Sequence, residues 1–341
     1  MTKTHYFQLL NNCIKVQHCG AALSYNSVWQ RKVKTMDKKT KEAMHEITAR
    51  VTSDMATSGI NWVKPWVNVL QHNQPMSAKK HQYRGINRIN LSMIMASRGY
   101  TSPVFATYNQ WTKDLGYELE GAKGKGIRIV FWSLIKYEDK KTGEQKVFPK
   151  WDSWIVFNSQ YVKNWKGDFL PEEKKLSQEW SDILDAENLA ELSGAKFVNE
   201  DANSAYYRPS NDTINMPSKE QFKNASGYYG TLFHELGHWT GSKDRLDRKF
   251  GTRFGSDGYA FEELIAELTS AILSGLTKVD AEPRADHAKY LNGWIKCLKD
   301  NPEAISKACG AADKAATFIL KAAEQNTEQR NLPITVTKVA S

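Results

Sequence analysis

The residues best equipped for chemistry are His234-Glu235-Leu236-Gly237-His238. Side chains four apart lie on one face of a helix, so both imidazoles can reach a single metal ion. Glu235, one position along, can take a proton from a water held at that ion. Zn2+ suits the set best, because two imidazoles and one carboxylate leave a fourth position for water. The third ligand must come from elsewhere, and the next helical run supplies Glu262-Glu263-Leu264-Ile265-Ala266-Glu267. Glu263 is the first candidate. Glu267, one turn later on the same face, can orient a ligand from behind. Glu262 and Glu267 stay open as alternative ligands. Tyr259, one turn before Glu263, is a candidate for holding an oxyanion.

Two helices must position these groups. In the first, Ser226 can cap the start, Tyr229, Phe233, Leu236 and Thr240 share a face, and Gly241 follows as a stop. In the second, over about 260–273, Phe261, Leu264, Ile265, Leu268 and Ile272 form an apolar stripe. Glu263 and Glu267 lie beside that stripe, next to the small residues Ala260, Ser270 and Ala271. An acidic face with small neighbours suits a helix packed on a metal site.

The chain has 341 residues, enough for two domains, and a net charge of +9. That excess of base makes nucleic acid the default acidic partner. Its four cysteines, Cys13, Cys19, Cys297 and Cys309, form no C-x-x-C pair and no disulfide framework, which fits a reducing, cytoplasmic compartment. No apolar run approaches the roughly 18 residues that cross a bilayer, so no membrane partner is expected.

Residues 1–36 contain no acidic residue and lack the apolar core of a secretory signal. They read as a basic, poorly ordered extension, with Met36 as an alternative start. From residue 37 the pattern becomes regular, and 37–56 reads as an amphipathic helix on Met44, Ile47, Val51 and Met55. Aromatic and basic residues then interleave. Trp62, Lys64 and Trp66 form one knot, and Tyr83, Arg84, Asn87 and Arg88 a second. Tyr108 and Gln110 open a further helical segment, and Lys125 sits in a Gly/Lys loop. Rings on which bases stack, with cations to track phosphates, suit single-stranded nucleic acid. Residues 127–132 and 154–157 read as strands by their β-branched and aromatic content. Trp132, Trp154 and Phe157, at strand positions, are assigned to the core. Residues 136–146 form a charged hairpin tip.

Beyond a linker at 167–175 and a helix at 177–193, residues 195–198, 204–208 and 213–216 read as short strands. Ile214 and Met216 are candidate edge positions for holding an extended peptide by strand addition. Two more helices, 288–299 and 304–321, cover the core, and 331–341 is a tail.

Several of these motifs occur in series: Trp62-Val-Lys-Pro-Trp66, Tyr83-Arg-Gly-Ile-Asn87, Thr107-Tyr-Asn-Gln-Trp111, Ala205-Tyr-Tyr207, Asp212-Thr-Ile214, His234-Glu-Leu-Gly-His-Trp-Thr-Gly241 and Glu262-Glu-Leu-Ile-Ala-Glu267. In that order they resemble the ArdC-type antirestriction proteins of plasmids and phages, over about residues 37–325. The resemblance implies an α+β chain of two domains. One, at 37–165, would bind single-stranded DNA. The other, at 166–330, would be a zincin-like (HExxH, gluzincin-type) metallopeptidase. It implies His234, His238 and Glu263 as zinc ligands with Glu235 catalytic. It also implies protection of incoming plasmid or phage DNA from restriction in the cytoplasm of a bacterial host. It does not give the peptidase substrate, for which a host protein is the candidate partner. Two other readings stay open: a DNA-binding protein whose zinc is structural or vestigial, and a cytosolic zinc protease that processes a host regulator.

Overall fold

The computed structural model describes residues 37–138, 145–167, 184–201, 203–248, 257–280 and 288–330. The expected N-terminal extension, hairpin tip, linker, start of the 177–193 helix and C-terminal tail therefore lie wholly or largely outside the described residues.

Helix α1 (Lys38–Ser58) begins where Asp37 accepts the Thr40 N–H at 2.7 Å, an N-cap bond that satisfies one of the first turn's orphan donors. It buries Met44, Ile47, Val51 and Met55 as their spacing requires. Trp62 and Trp66 follow in a 3-10 turn and at the start of α2 (Lys64–His72), and both are core residues. From Gly85 onward the stretch that carries Asn87 and Arg88 is helical. Arg84 is the cap and Gly85 the first residue of α3 (Gly85–Arg98). Gly85 has φ 54, and a Cβ there would sit 3.8 Å from the Gly310 backbone, so the start of α3 lies close to a C-terminal helix.

Strands β1 (Met76–Ser77), β2 (Val104–Thr107), β3 (Ile127–Glu138) and β4 (Gln145–Asn158) form a sheet of order β1-β2-β4-β3. β1 is parallel to β2, and the other pairs are antiparallel. β3 is the edge, and α3 runs beside it. The Asn87 side chain both donates to and accepts from the Val130 backbone, and Asn90 donates to Arg128 O. Those amides satisfy edge groups that would otherwise offer a pairing surface.

The second half holds α4 (Leu184–Leu192), then β5 (Lys196–Val198), β6 (Tyr206–Arg208) and β7 (Thr213–Asn215) in the order β5-β7-β6. Four helices follow: α5 (Ala225–Trp239), α6 (Asp257–Thr277), α7 (Ala288–Asp300) and α8 (Ala304–Arg330). β7 is the central strand, with Ile214 in it and Met216 just after it both buried, which corrects their reading as edge positions; the edges are β5 and β6. α5 is capped by Asn224, which accepts the Gly227 N–H at 2.8 Å, and not by Ser226.

One hydrophobic core runs through both halves. α1 and α2 bury Met44, Val51, Trp66 and Leu70 in the same cluster as Phe233, Leu264, Leu268 and Trp294. α2 meets α6 where a Cβ on Gly275 would fall 2.6 Å from Leu70 Cβ. Arg88 crosses the same boundary to Asp313 of α8 in a buried ion pair at 2.8 Å. Among the described residues no helix is long and apolar enough to cross a membrane.

Candidate metal centre

α5 and α6 lie against each other at Gly237, where an added Cβ would stand 3.1 Å from Ala266 Cα. Only the missing side chain permits that approach, and it brings one face of each helix into contact. His234 and His238 project from α5 with their Nε2 atoms 3.1 Å apart. Glu263 projects from α6, with Oε2 3.5 Å from His234 Nε2 and Oε1 3.5 Å from His238 Nε2. Ligand atoms about 2.0–2.1 Å from a tetrahedral ion lie about 3.3 Å from one another. The three separations bracket that value, so the residues fit a divalent metal. They also form one group of potential ligands whose atoms all lie within 4.8 Å of one another.

The remaining glutamates of α6 stand behind the histidines. Glu262 Oε1 faces His238 Nδ1 at 3.4 Å, and Glu267 Oε2 faces His234 Nδ1 at 3.7 Å. The three candidate carboxylates thus fall into two positions, with Glu263 between the rings and the other two on their outer nitrogens. Such outer carboxylates fix a ligand's tautomer and orientation. Burial penalises the imidazolium of His238, but hydrogen bonds to Glu262 and Glu263 and the charges of Glu235 and Glu263 outweigh it, raising its pKa to about 10. Burial also works against the Glu263 carboxylate, yet the two histidines hold its pKa well below the usual range. Glu262 is likewise lowered by His238 and Arg248 despite its burial.

Glu235 is buried, and its Oε2 accepts the Tyr207 N–H at 2.9 Å. That donor lies on β6, one edge of the small sheet. Tyr207 is itself held by its hydroxyl, which donates to Asp212 at 2.9 Å, while Arg245 stacks 4.0 Å over Trp239 and pairs with Asp212. The sheet edge and α5 are thereby locked together beside the ligand cluster. Tyr259 sits 3.4 Å from the Tyr290 hydroxyl. Burial first, then that bond and the charge of Glu263, raise its pKa well above an ordinary phenol, so its hydroxyl stays protonated.

The expected DNA-contacting residues divide sharply. Trp62, Trp66 and Tyr83 are core side chains, Asn87 is bound to β3, and Arg88 is paired with Asp313. As placed, none of these five offers a face to a base or phosphate, because helix packing consumes them. Gln110 is half-buried and accepts the Thr107 N–H at 2.8 Å. Lys64, Arg84, Tyr108 and Lys125 are at the surface. Trp132 and Trp154, assigned from the sequence to the core, are 56 % and 54 % exposed, with Phe131 and Ile155 beside them. β2 pairs β4 only from Val156 to Asn158, so the earlier part of the β3–β4 ribbon outruns the sheet. Strand composition alone cannot show where a ribbon leaves its sheet.

Residues 41–162 match the N-terminal domain of anti-restriction factor ArdC, and residues 184–311 match a zincin-like metallopeptidase family. A metal-free crystal structure of the antirestriction ArdC protein from the R388 plasmid superposes with a TM-score of 0.67 at 35 % identity, covering 83 % of this chain and 98 % of that one. An Mn(II)-bound structure of the same R388 protein gives 0.67 at 32 % identity, with 82 % and 97 % covered. The uncharacterized protein y4eC of Sinorhizobium fredii is 33 % identical over 74 % of this chain and 82 % of its own length. A DNA primase TraC of Escherichia coli is 34 % identical over 85 % of this chain, which spans only 28 % of that longer protein. With both halves matched and one solved relative covered almost end to end, the chain belongs to the ArdC family of antirestriction proteins, with a zincin-like domain as its C-terminal half.

Proposed function

We propose that this protein binds single-stranded DNA, protects incoming plasmid or phage DNA from restriction in the host cytoplasm, and carries a zinc peptidase site at His234, His238 and Glu263. The observation that carries the peptidase half is the ligand triangle, with Glu235 beside it on the same helix. When bound, zinc would polarise a peptide carbonyl and make a water easier to deprotonate. Glu235 is the general base and later the proton donor to the leaving amine. The Tyr207 N–H orients its carboxylate. Tyr259 keeps its proton and can donate to an oxyanion. The β6 edge beside Glu235 is where an extended peptide from a host protein would add, through backbone groups other than the Tyr207 N–H that Glu235 holds.

For DNA, the exposed ribbon takes over from the buried residues of the sequence motifs. Trp132 and Trp154 offer stacking faces, and Tyr108, 56 % exposed, offers a third. Lys125 carries positive charge beside these strands. Arg128 and Lys150 lie within them, in surface ion pairs with Glu46 and Asp152 that a phosphate would have to displace. Lys64 and Arg84 remain as further phosphate contacts. Transfer of unmodified DNA into a restricting host tests the whole reading, comparing wild type, Glu235→Gln and Trp132→Ala/Trp154→Ala. Loss of protection in the tryptophan variant supports DNA contact by the ribbon, and full protection refutes it. Intact protection by Glu235→Gln would separate peptidase chemistry from protection and leave DNA coverage as its cause.

A further inference from the structure

We propose that Arg248, which lies outside every motif of the metal centre, is a positioning residue for it: Arg248 locks Glu262 behind His238 and so sets the aim of that ligand. The inference rests on the reading of His234, His238 and Glu263 as a metal site. Arg248 lies on the segment that follows α5, nine residues beyond Trp239, and its guanidinium turns back to the helix. It makes four hydrogen bonds: Nε to Glu262 Oε2 at 3.0 Å, Nη2 to Glu262 Oε1 at 2.8 Å, Nη2 to Gly237 O at 2.6 Å and Nη1 to Thr240 Oγ1 at 2.8 Å. The side chains of Arg248 and Glu262 are 11 % and 5 % exposed.

A planar guanidinium that grips both oxygens of a carboxylate fixes its plane as well as its place. Glu262 then presents Oε1 to His238 Nδ1 at 3.4 Å, which favours the proton on Nδ1 and the lone pair on Nε2. The same guanidinium holds the Gly237 carbonyl, one residue before His238. It therefore ties the ligand's own backbone and the carboxylate behind its ring to one rigid fork. A lysine can supply the charge but not the fork.

The test is calorimetric titration of Zn2+ into the full, metal-stripped chain, with metal-free unfolding followed for each variant. Arg248→Ala and Glu262→Gln should each lower affinity about 10–100-fold, the usual effect of removing a ligand's outer partner. Arg248→Lys should fall between them and wild type. The double variant Arg248→Ala/Glu262→Gln should bind no more than about threefold worse than the weaker single, because the two act through one contact. Unchanged zinc affinity in Arg248→Ala, or losses that multiply in the double variant, would overturn the proposal. So would a loss confined to metal-free stability. If Arg248→Ala does not fold, Arg248→Lys decides: wild-type affinity there overturns the proposal. Failure of the wild type itself to bind zinc would instead refute the metal-centre reading.

Discussion

Two glycines of the same helix should respond oppositely to alanine. Gly230 and Gly237 both lie inside α5. A Cβ at Gly230 meets nothing within 4 Å. At Gly237 it would stand 3.1 Å from Ala266 Cα and 3.3 Å from Thr269 Cβ. Replacing glycine by alanine inside a helix contributes about 0.5–1 kcal/mol of stability. Gly230→Ala should keep that gain and raise the melting temperature by about 1–2 °C. At Gly237 the same gain is opposed by overpacking, which costs about 1–3 kcal/mol. Carbon atoms rest about 3.5–4.0 Å apart, so α6 must retreat by roughly 0.5 Å. Ala266 lies one turn from Glu263, and metal ligands tolerate displacements of only about 0.2 Å. Gly237→Ala should therefore be neutral to about 2 kcal/mol less stable, and should bind zinc about tenfold or more weakly. Thermal unfolding of the metal-free proteins with zinc titration of each reads both effects. A Gly237→Ala protein as stabilised as Gly230→Ala, with wild-type zinc affinity, would refute the close-packed geometry on which the centre depends.

The other predictions concern single side chains. Glu263→Gln should lower zinc affinity far more than Glu267→Gln, whose effect should stay near tenfold; equal losses by titration would place the third ligand wrongly. Trp132→Ala and Trp154→Ala should each weaken binding of a single-stranded oligonucleotide by about 1–3 kcal/mol while leaving melting unchanged, and an unaltered affinity would exclude stacking there. Arg88→Met should instead unfold early, by about 3–5 kcal/mol, because it strands buried Asp313. Its double variant with Asp313→Leu should recover most of that loss and keep wild-type DNA affinity. A DNA defect that persists in the refolded double variant would restore Arg88 as a contact residue.

The metal helices were legible because their signal is local: i, i+4 spacing places two histidines on one face whatever the rest of the chain does. Choosing among Glu262, Glu263 and Glu267 needed the crossing of α5 and α6, which is set by Gly237 and by packing no spacing rule contains. Arg248 was invisible for the same reason, since its partners lie on two helices joined through a loop. The burial of Trp62, Trp66 and Tyr83 was not legible because Trp and Tyr are amphipathic, and polar neighbours in sequence do not decide exposure. Asn87 and Asn90 belong to the helix that seals the β3 edge, and Tyr83 packs in the core just before it, so the polar residues of that motif answer a structural demand. Trp132 and Trp154 were hidden by the opposite error: they have strand composition, but composition does not tell whether anything packs on the faces of the ribbon that carries them.

The most direct test of the central claim is cleavage of a degenerate peptide library by the zinc-loaded wild type and by zinc-loaded Glu235→Gln. Equal zinc content in both proteins, with sequence-selective cleavage by the wild type alone, is the predicted result. Equal cleavage by both, or none by a fully loaded wild type, would contradict a catalytic role for this centre.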